Sequence, residues 1–160
     1  MHYIVDGYNV INSDDMFVSN TLENRRNILI KFIREFRPHG SLKNSISVIF
    51  DSKSKNLCQT RGYSKICMCD IEVIFSDGVL SADDIIVEIV DMSENPYNIT
   101  VVTNDRGIIR RIGASGAKHE SVEVFLSKRA KHDNVQKVRE FDIDVKNDIN
   151  KEFEKLWLKK

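Results

Sequence analysis

Long apolar runs and cysteine are the two scarcities of this 160-residue chain. No uncharged apolar stretch approaches the roughly 18 residues that a bilayer-spanning helix needs, so no membrane partner is expected. The N-terminus lacks a basic stretch ahead of an apolar core, because Asp6 interrupts the first apolar run, which argues against a secretory leader. The three cysteines, Cys58, Cys67 and Cys69, are an odd set with no export signal, which favours reduced thiols in a cytosol over a disulfide framework. One C-x-C pair plus a distant cysteine gives three ligands, and no histidine stands at a spacing that completes a tetrahedron, so zinc is not expected and buried thiols are. Internal repeats, low-complexity segments and linkers are also missing. The expectation is one cytoplasmic domain over 1–160, with 131–160 as a helical C-terminal extension.

What the chain does have is the balance of a globular protein, 41% apolar and 30% charged residues, and enough length to bury a core. Its net charge of zero conceals an asymmetry. Residues 1–105 hold 10 Lys and Arg against 15 Asp and Glu, whereas residues 106–160 hold 14 against 9. Such a division suits a protein that handles a polyanion, with carboxylates for a metal and cations for phosphate. Uneven spread of solvated charge explains it as well.

Apolar runs at 2–5 (HYIV), 46–50 (ISVIF), 71–75 (IEVIF) and 99–103 (ITVVT) predict four strands, with a short one near 117–119. Between them lie helical patterns. Asn20-Thr21-Leu22-Glu23 has the form of a capping box ahead of Ile28, Leu29, Phe32, Ile33 and Phe36, and the helix ends toward Pro38 and Gly40. Ser81 caps a helix to about residue 92, another follows Asp105 to about 114, and one starts near Ser121. The polar stretch 52–65 reads as a loop, 133–146 is weakly patterned, and 147–158 reads as a final helix. Strands alternating with helices predict an α/β fold with a mainly parallel sheet covered on both faces.

Sites in such sheets form beyond the C-terminal strand ends. Asp6 ends the first strand, Asp51 the second, Asp105 follows the fourth, and Asp83 and Asp84 open the helix after the third. Carboxylates gathered at one rim repel each other and call for protons or a cation, and a hard ion such as Mg²⁺ or Mn²⁺ prefers oxygen ligands. The chemistry that fits is metal-assisted attack of water on a phosphodiester, with the Asn9 amide orienting a ligand or water. Each acid also has a plainer reading: Asp6-Gly7 as a turn, Asp51 as a loop start, and Asp83, Asp84 and Asp105 as helix caps.

The segments IVDGYNVI, VIFD, SADDIIVEIV and VVTNDRGIIRRIGASGAKHESVEVFL resemble, in order and spacing, the NYN domain of the PIN-like nuclease superfamily, and within it the YacP-like endoribonucleases. The resemblance covers about residues 2–128. It implies a PIN-like three-layer α/β/α fold, Mg²⁺- or Mn²⁺-dependent cleavage of RNA, and single-stranded mRNA as partner, with the ribosome as a further one. Asp6 matches the first acid of the family and Asn9 the asparagine after it. Asp83 matches the acid of the TAD segment, with Ser81 in place of threonine, and Asp84 a second acid of some relatives. Asp105 matches the acid of the TSD segment, with Asn104 in place of serine. Asp51 is an additional candidate acid. The cysteine-bearing stretch after Asp51 and the tail beyond about 128 depart from the pattern. Under this reading Asp6 holds metal and Gly7 lets the backbone turn sharply beneath it.

Lys53, Lys55, Arg61 and Lys65 around the loop after Asp51, and Arg106 and Arg110 on one face of the helix after Asp105, are the candidate RNA-binding cations; Arg111, Lys128, Arg129 and Lys131 add to them. Tyr8 and Tyr63 could stack on bases, although packing explains Tyr8 better. Two rival functions stand beside the nuclease. One is a non-catalytic RNA- or ribosome-binding module, which has no need of clustered acids. The other is a phosphotransferase with Asp6 as nucleophile, which usually has a second aspartate two positions on, where this chain has Tyr8.

Overall fold

The computed structural model describes residues 1–51, 63–68, 70–76 and 78–128. All lie within the compact unit Met1–Arg129; the second unit, Ala130–Lys160, lies outside the described residues, and with it the expected helix over 147–158. Six strands form one sheet: β1 (His2–Asp6), β2 (Ser45–Phe50), β3 (Tyr63–Met68), β4 (Ile71–Ser76), β5 (Ile99–Val102) and β6 (Lys118–Glu120). Their spatial order is β3-β4-β2-β1-β5-β6, and every pairing is parallel except β3 with β4. The helices are α1 (Gly7–Ser13), α2 (Leu22–Phe36), α3 (Ala82–Asp91), α4 (Arg106–Ala114) and α5 (Val122–Ser127).

Side-chain alternation builds three layers. Tyr3 and Val5 of β1 face one core with Val48, Phe50 and Val73, covered by α1, α2 and α5 through Val10, Leu29, Ile33 and Phe125. Ile4 faces the other way, joining Ile49, Ile74 and Val101 under Ile85, Ile86, Ile108 and Ile112 of α3 and α4. Central strands apolar on both faces are what a helix-sandwiched parallel sheet requires. The PIN-like α/β/α expectation therefore holds. After β1 the chain runs outward through β2 to β4, then returns to place β5 on the opposite side of β1. The switch point falls between β1 and β5, where α/β sheets open a crevice at their C-terminal edge.

The elements differ from the sequence reading in several places. Residues 63–65, expected in a loop, are part of β3, an edge strand whose polar residues face solvent. The cap of α2 is Thr21, whose hydroxyl accepts from Asn24 N at 3.1 Å, rather than Asn20; Glu23 then sits one position too early to close the box. Helix α1 replaces the sharp turn expected at Gly7. The glycine is required by close packing: a Cβ there would stand 2.2 Å from the Phe50 ring and 2.9 Å from the Ile49 carbonyl. Cys67, expected buried, is exposed on β3, and Cys58 and Cys69 lie outside the described residues.

Candidate active site

Asp6 is the last residue of β1 and the N-cap of α1. One carboxylate oxygen accepts from Asn9 N at 3.2 Å and the other from the Thr103 hydroxyl at 3.0 Å. It is 7% exposed. Burial pushes its pKa up to about 6 against those two hydrogen bonds, and the negative charges of Asp83 and Asp105 add to the shift. Asp83, in the first turn of α3, is exposed, and its carboxylate makes no hydrogen bond among the described residues. Its pKa is raised too, by partial burial first and then by Asp105, Asp51 and Asp84. Asp105 caps α4, with one oxygen accepting from Gly107 N at 2.6 Å and Ile108 N at 3.1 Å. A Cβ on residue 107 would lie 2.9 Å from that oxygen, so the glycine makes room for the acid.

The structure thus brings Asp6, Asp83 and Asp105 into mutual electrostatic range at the switch point. Asp51 and Asp84 lie beside them and make structural contacts. Asp51 Oδ1 accepts from Ala82 N at 2.8 Å and Ser76 Oγ at 3.2 Å, fastening the start of α3 to the end of β4. Asp84 exchanges hydrogen bonds with Ser81, as a capping box does, and pairs with Arg111 at 3.1 Å, tying α3 to α4. Those contacts hold its carboxyl below the usual range. The Asn9 amide oxygen accepts from Asn104 N at 2.8 Å and so holds the β5–α4 loop.

Whether these groups suit a metal turns on their chemistry. All donors are oxygens, Asp6 and Asp83 stand among neighbouring carboxylates that raise their pKa in addition to burial, and Arg111, the cation acting on Asp83, is paired to Asp84. That set fits a hard divalent ion. Among the described residues, no three acids or histidines stand close enough to form a ready-made cage as their side chains rest.

Residues that sequence reasoning passed over complete the site. Thr103, fully buried, donates to Asp6 while its oxygen accepts from Asp105 N at 3.1 Å, so one hydroxyl sets two of the acids. Its place in VVTND, two residues before an acid, was the available signal. Asn104 bridges to α5, donating to Glu123 at 2.7 Å and accepting from Val122 N at 3.1 Å.

The basic candidates divide. Lys53, Lys55, Arg61, Arg129 and Lys131 lie outside the described residues. Lys65 pairs with Glu72 at 3.0 Å, near the start of β4, and is not brought to the acidic rim; Lys128 pairs with Glu120 at 2.7 Å. Arg106 and Arg110 are exposed on α4, unpaired among the described residues, and Arg106 adjoins Asp105. Tyr8 packs edge-on against Phe50 with ring centres 5.3 Å apart, which favours its packing role.

A parallel sheet whose switch point gathers carboxylates, enclosed by helices on both faces, defines a PIN-like α/β domain. The chain belongs to the family of the YacP-like NYN domain, whose sequence model matches residues 3–160, a nuclease-type family. NYN and PIN-like nucleases generally depend on divalent metal. Among solved structures, crystal structures of Rae1 (YacP) from Bacillus subtilis share the fold. One superposes with a TM-score of 0.59 at 24% identity, covering 99% of this chain and 95% of that one. A mutant form gives 0.62 at 24% identity over 81% and 75% of the two chains. No curated protein matches. No helix among the described residues is long and apolar enough to cross a membrane.

Proposed function

We propose that this protein is a metal-dependent endoribonuclease that hydrolyses phosphodiester bonds of single-stranded RNA. The observation that carries the reading is the convergence of Asp6, Asp83 and Asp105 at the switch point, with the buried Asp6 carboxyl pushed up to about 6 in a field of like charges. Asp6, Asp83 and Asp105 are the residues that would hold Mg²⁺ or Mn²⁺. When bound, the ion supplies an activated water and stabilises the leaving oxygen. Thr103 orients Asp6 and positions the Asp105 backbone; Asn9 fixes the loop between them. Asp51 and Asp84 act through α3, setting where Asp83 stands. Arg106 and Arg110 grip phosphates without reading bases. The same reading places the protein in the cytoplasm, acting on mRNA, including mRNA on ribosomes.

A circular single-stranded RNA tests it, because only an endonuclease opens a circle. Linear product in Mg²⁺ or Mn²⁺ and none in EDTA supports the reading. Binding of the circle without opening it in either metal would favour the non-catalytic RNA module.

A further inference from the structure

Two consecutive arginines in α2 are fastened to different parts of the molecule. Arg25 Nε donates to Phe17 O at 3.2 Å, and its Nη2 to Ile11 O and Asn12 Oδ1 at 3.0 Å each. Arg26 Nε donates to the Tyr8 hydroxyl at 2.8 Å, its Nη2 donates to the same hydroxyl, and Nη2 stands 3.5 Å from Asp51 O. No carboxylate pairs with it among the described residues.

The surroundings place this cation at the acidic rim. Its guanidinium carbon lies 5.3 Å from the ring centre of Tyr8, 5.5 Å from Phe50 and 5.3 Å from Phe75. Tyr8 follows Asp6 by two residues, Phe50 ends β2 immediately before Asp51, and Phe75 is the register partner of Phe50 in β4. Three rings and a backbone carbonyl thus hold the group at the C-terminal edge of β1, β2 and β4. Asp51 meets it with its backbone carbonyl, while its Oδ1 accepts from Ala82 N and Ser76 Oγ. With the rings lying against the guanidinium and the hydroxyl holding one edge, Nη1 makes no hydrogen bond among the described residues. A planar fork fixed from behind suits a phosphate rather than a base.

We propose that Arg26 binds a backbone phosphate of the RNA, next to the scissile bond, on the side of the rim formed by α1 and α2. Tyr8 is its positioning residue. The proposal rests on the endoribonuclease reading for the identity of the polyanion and adds a contact that helix α4 does not supply.

The test is the KM for single-stranded RNA in Mg²⁺ across a salt series, for wild type, Arg26→Gln and Arg26→Lys, with melting temperatures alongside. Loss of one charge-assisted contact is expected to raise KM roughly tenfold in Arg26→Gln with kcat nearly unchanged. The salt slope should fall by about 0.7, the single-strand value for one phosphate, and Arg26→Lys should restore the slope while leaving affinity reduced. An unchanged KM and slope in a folded Arg26→Gln overturns the proposal and leaves the nuclease reading intact. Should wild type cut no RNA, that reading falls, and the salt slope of RNA binding by wild type and variant still decides Arg26. A second measurement needs no variant: RNA is expected to protect Arg26 of the wild-type protein from phenylglyoxal, read by peptide mass, and equal modification with and without RNA overturns the assignment.

Discussion

At the scale of single residues, Asp6 is held in two competing roles. Its carboxylate serves as a helix cap and hydrogen-bond acceptor, yet its burial favours the protonated form. The folded-state pKa of about 6 exceeds the ordinary 3.8, so the group contributes stability below about pH 4 that is lost as pH rises through 6. In EDTA the protein is therefore expected to lose stability between pH 4 and 7. Asp6→Asn should flatten that profile and stabilise the metal-free protein at pH 7.5 by up to about 3 kcal/mol, since each pKa unit corresponds to about 1.4 kcal/mol. Chemical denaturation at a series of pH values checks this. An identical slope in both proteins would count against burial as the origin.

Thr103 offers a second residue-scale test. Thr103→Val keeps the shape and removes the hydroxyl shared by Asp6 and Asp105. A loss of about 1–3 kcal/mol is expected from the unsatisfied partners, together with a fall in kcat larger than any change in KM. What the sequence could show at this scale was the kind of chemistry. Asp6, Asp83 and Asp105 were legible because each follows an apolar run that reads as a strand. Arg26 was not, since it sits in the second turn of an amphipathic helix, 18 residues from the hydroxyl it contacts.

At the scale of elements, the site depends on how the start of α3 is fixed. The Asp51 carboxylate reaches across 31 residues to Ala82 N, a contact that no local pattern discloses. Asp51→Ala leaves that N–H without its acceptor and removes the contact to Ser76 Oγ, and about 1–2 kcal/mol of stability should go with it. Asp51→Asn retains an acceptor oxygen. If Asp51 positions α3, the asparagine variant keeps most of both stability and Mn²⁺ affinity; if it ligates metal, Mn²⁺ affinity falls sharply while stability holds, as calorimetric titration would resolve. Strands β1, β2, β4 and β5 were readable because buried parallel strands are apolar on both faces. Strand β3 escaped notice because an antiparallel edge strand with exposed Ser64, Lys65 and Cys67 carries no such run. Helix α1, seven residues long and opened by a glycine, carries too short an apolar pattern to separate it from a turn. Its glycine answers to tertiary contact: Gly7→Ala is expected to destabilise by about 1–3 kcal/mol through collision with Phe50, measurable by denaturant unfolding.

For the molecule as a whole, the sheet's switch point explains why acids from four separate segments meet. The chain leaves β1 in one direction for β2 and β4 and returns on the other side for β5, so the start of α1 and the loop after β5 border one crevice, and α3 packs beside β1 and α4. Under the proposed function, that arrangement concentrates negative charge where RNA would approach, and a bound divalent ion and the arginines at the rim would offset it. The most direct test of this account measures Mn²⁺ binding and RNA cleavage together in wild type, Asp83→Asn and Asp105→Asn. The account predicts that each variant folds, binds Mn²⁺ at least tenfold more weakly and loses cleavage by two orders of magnitude or more, on the order of 3 kcal/mol of transition-state stabilisation. Full metal affinity and undiminished cleavage in either variant would contradict it and move the chemistry away from the acidic rim.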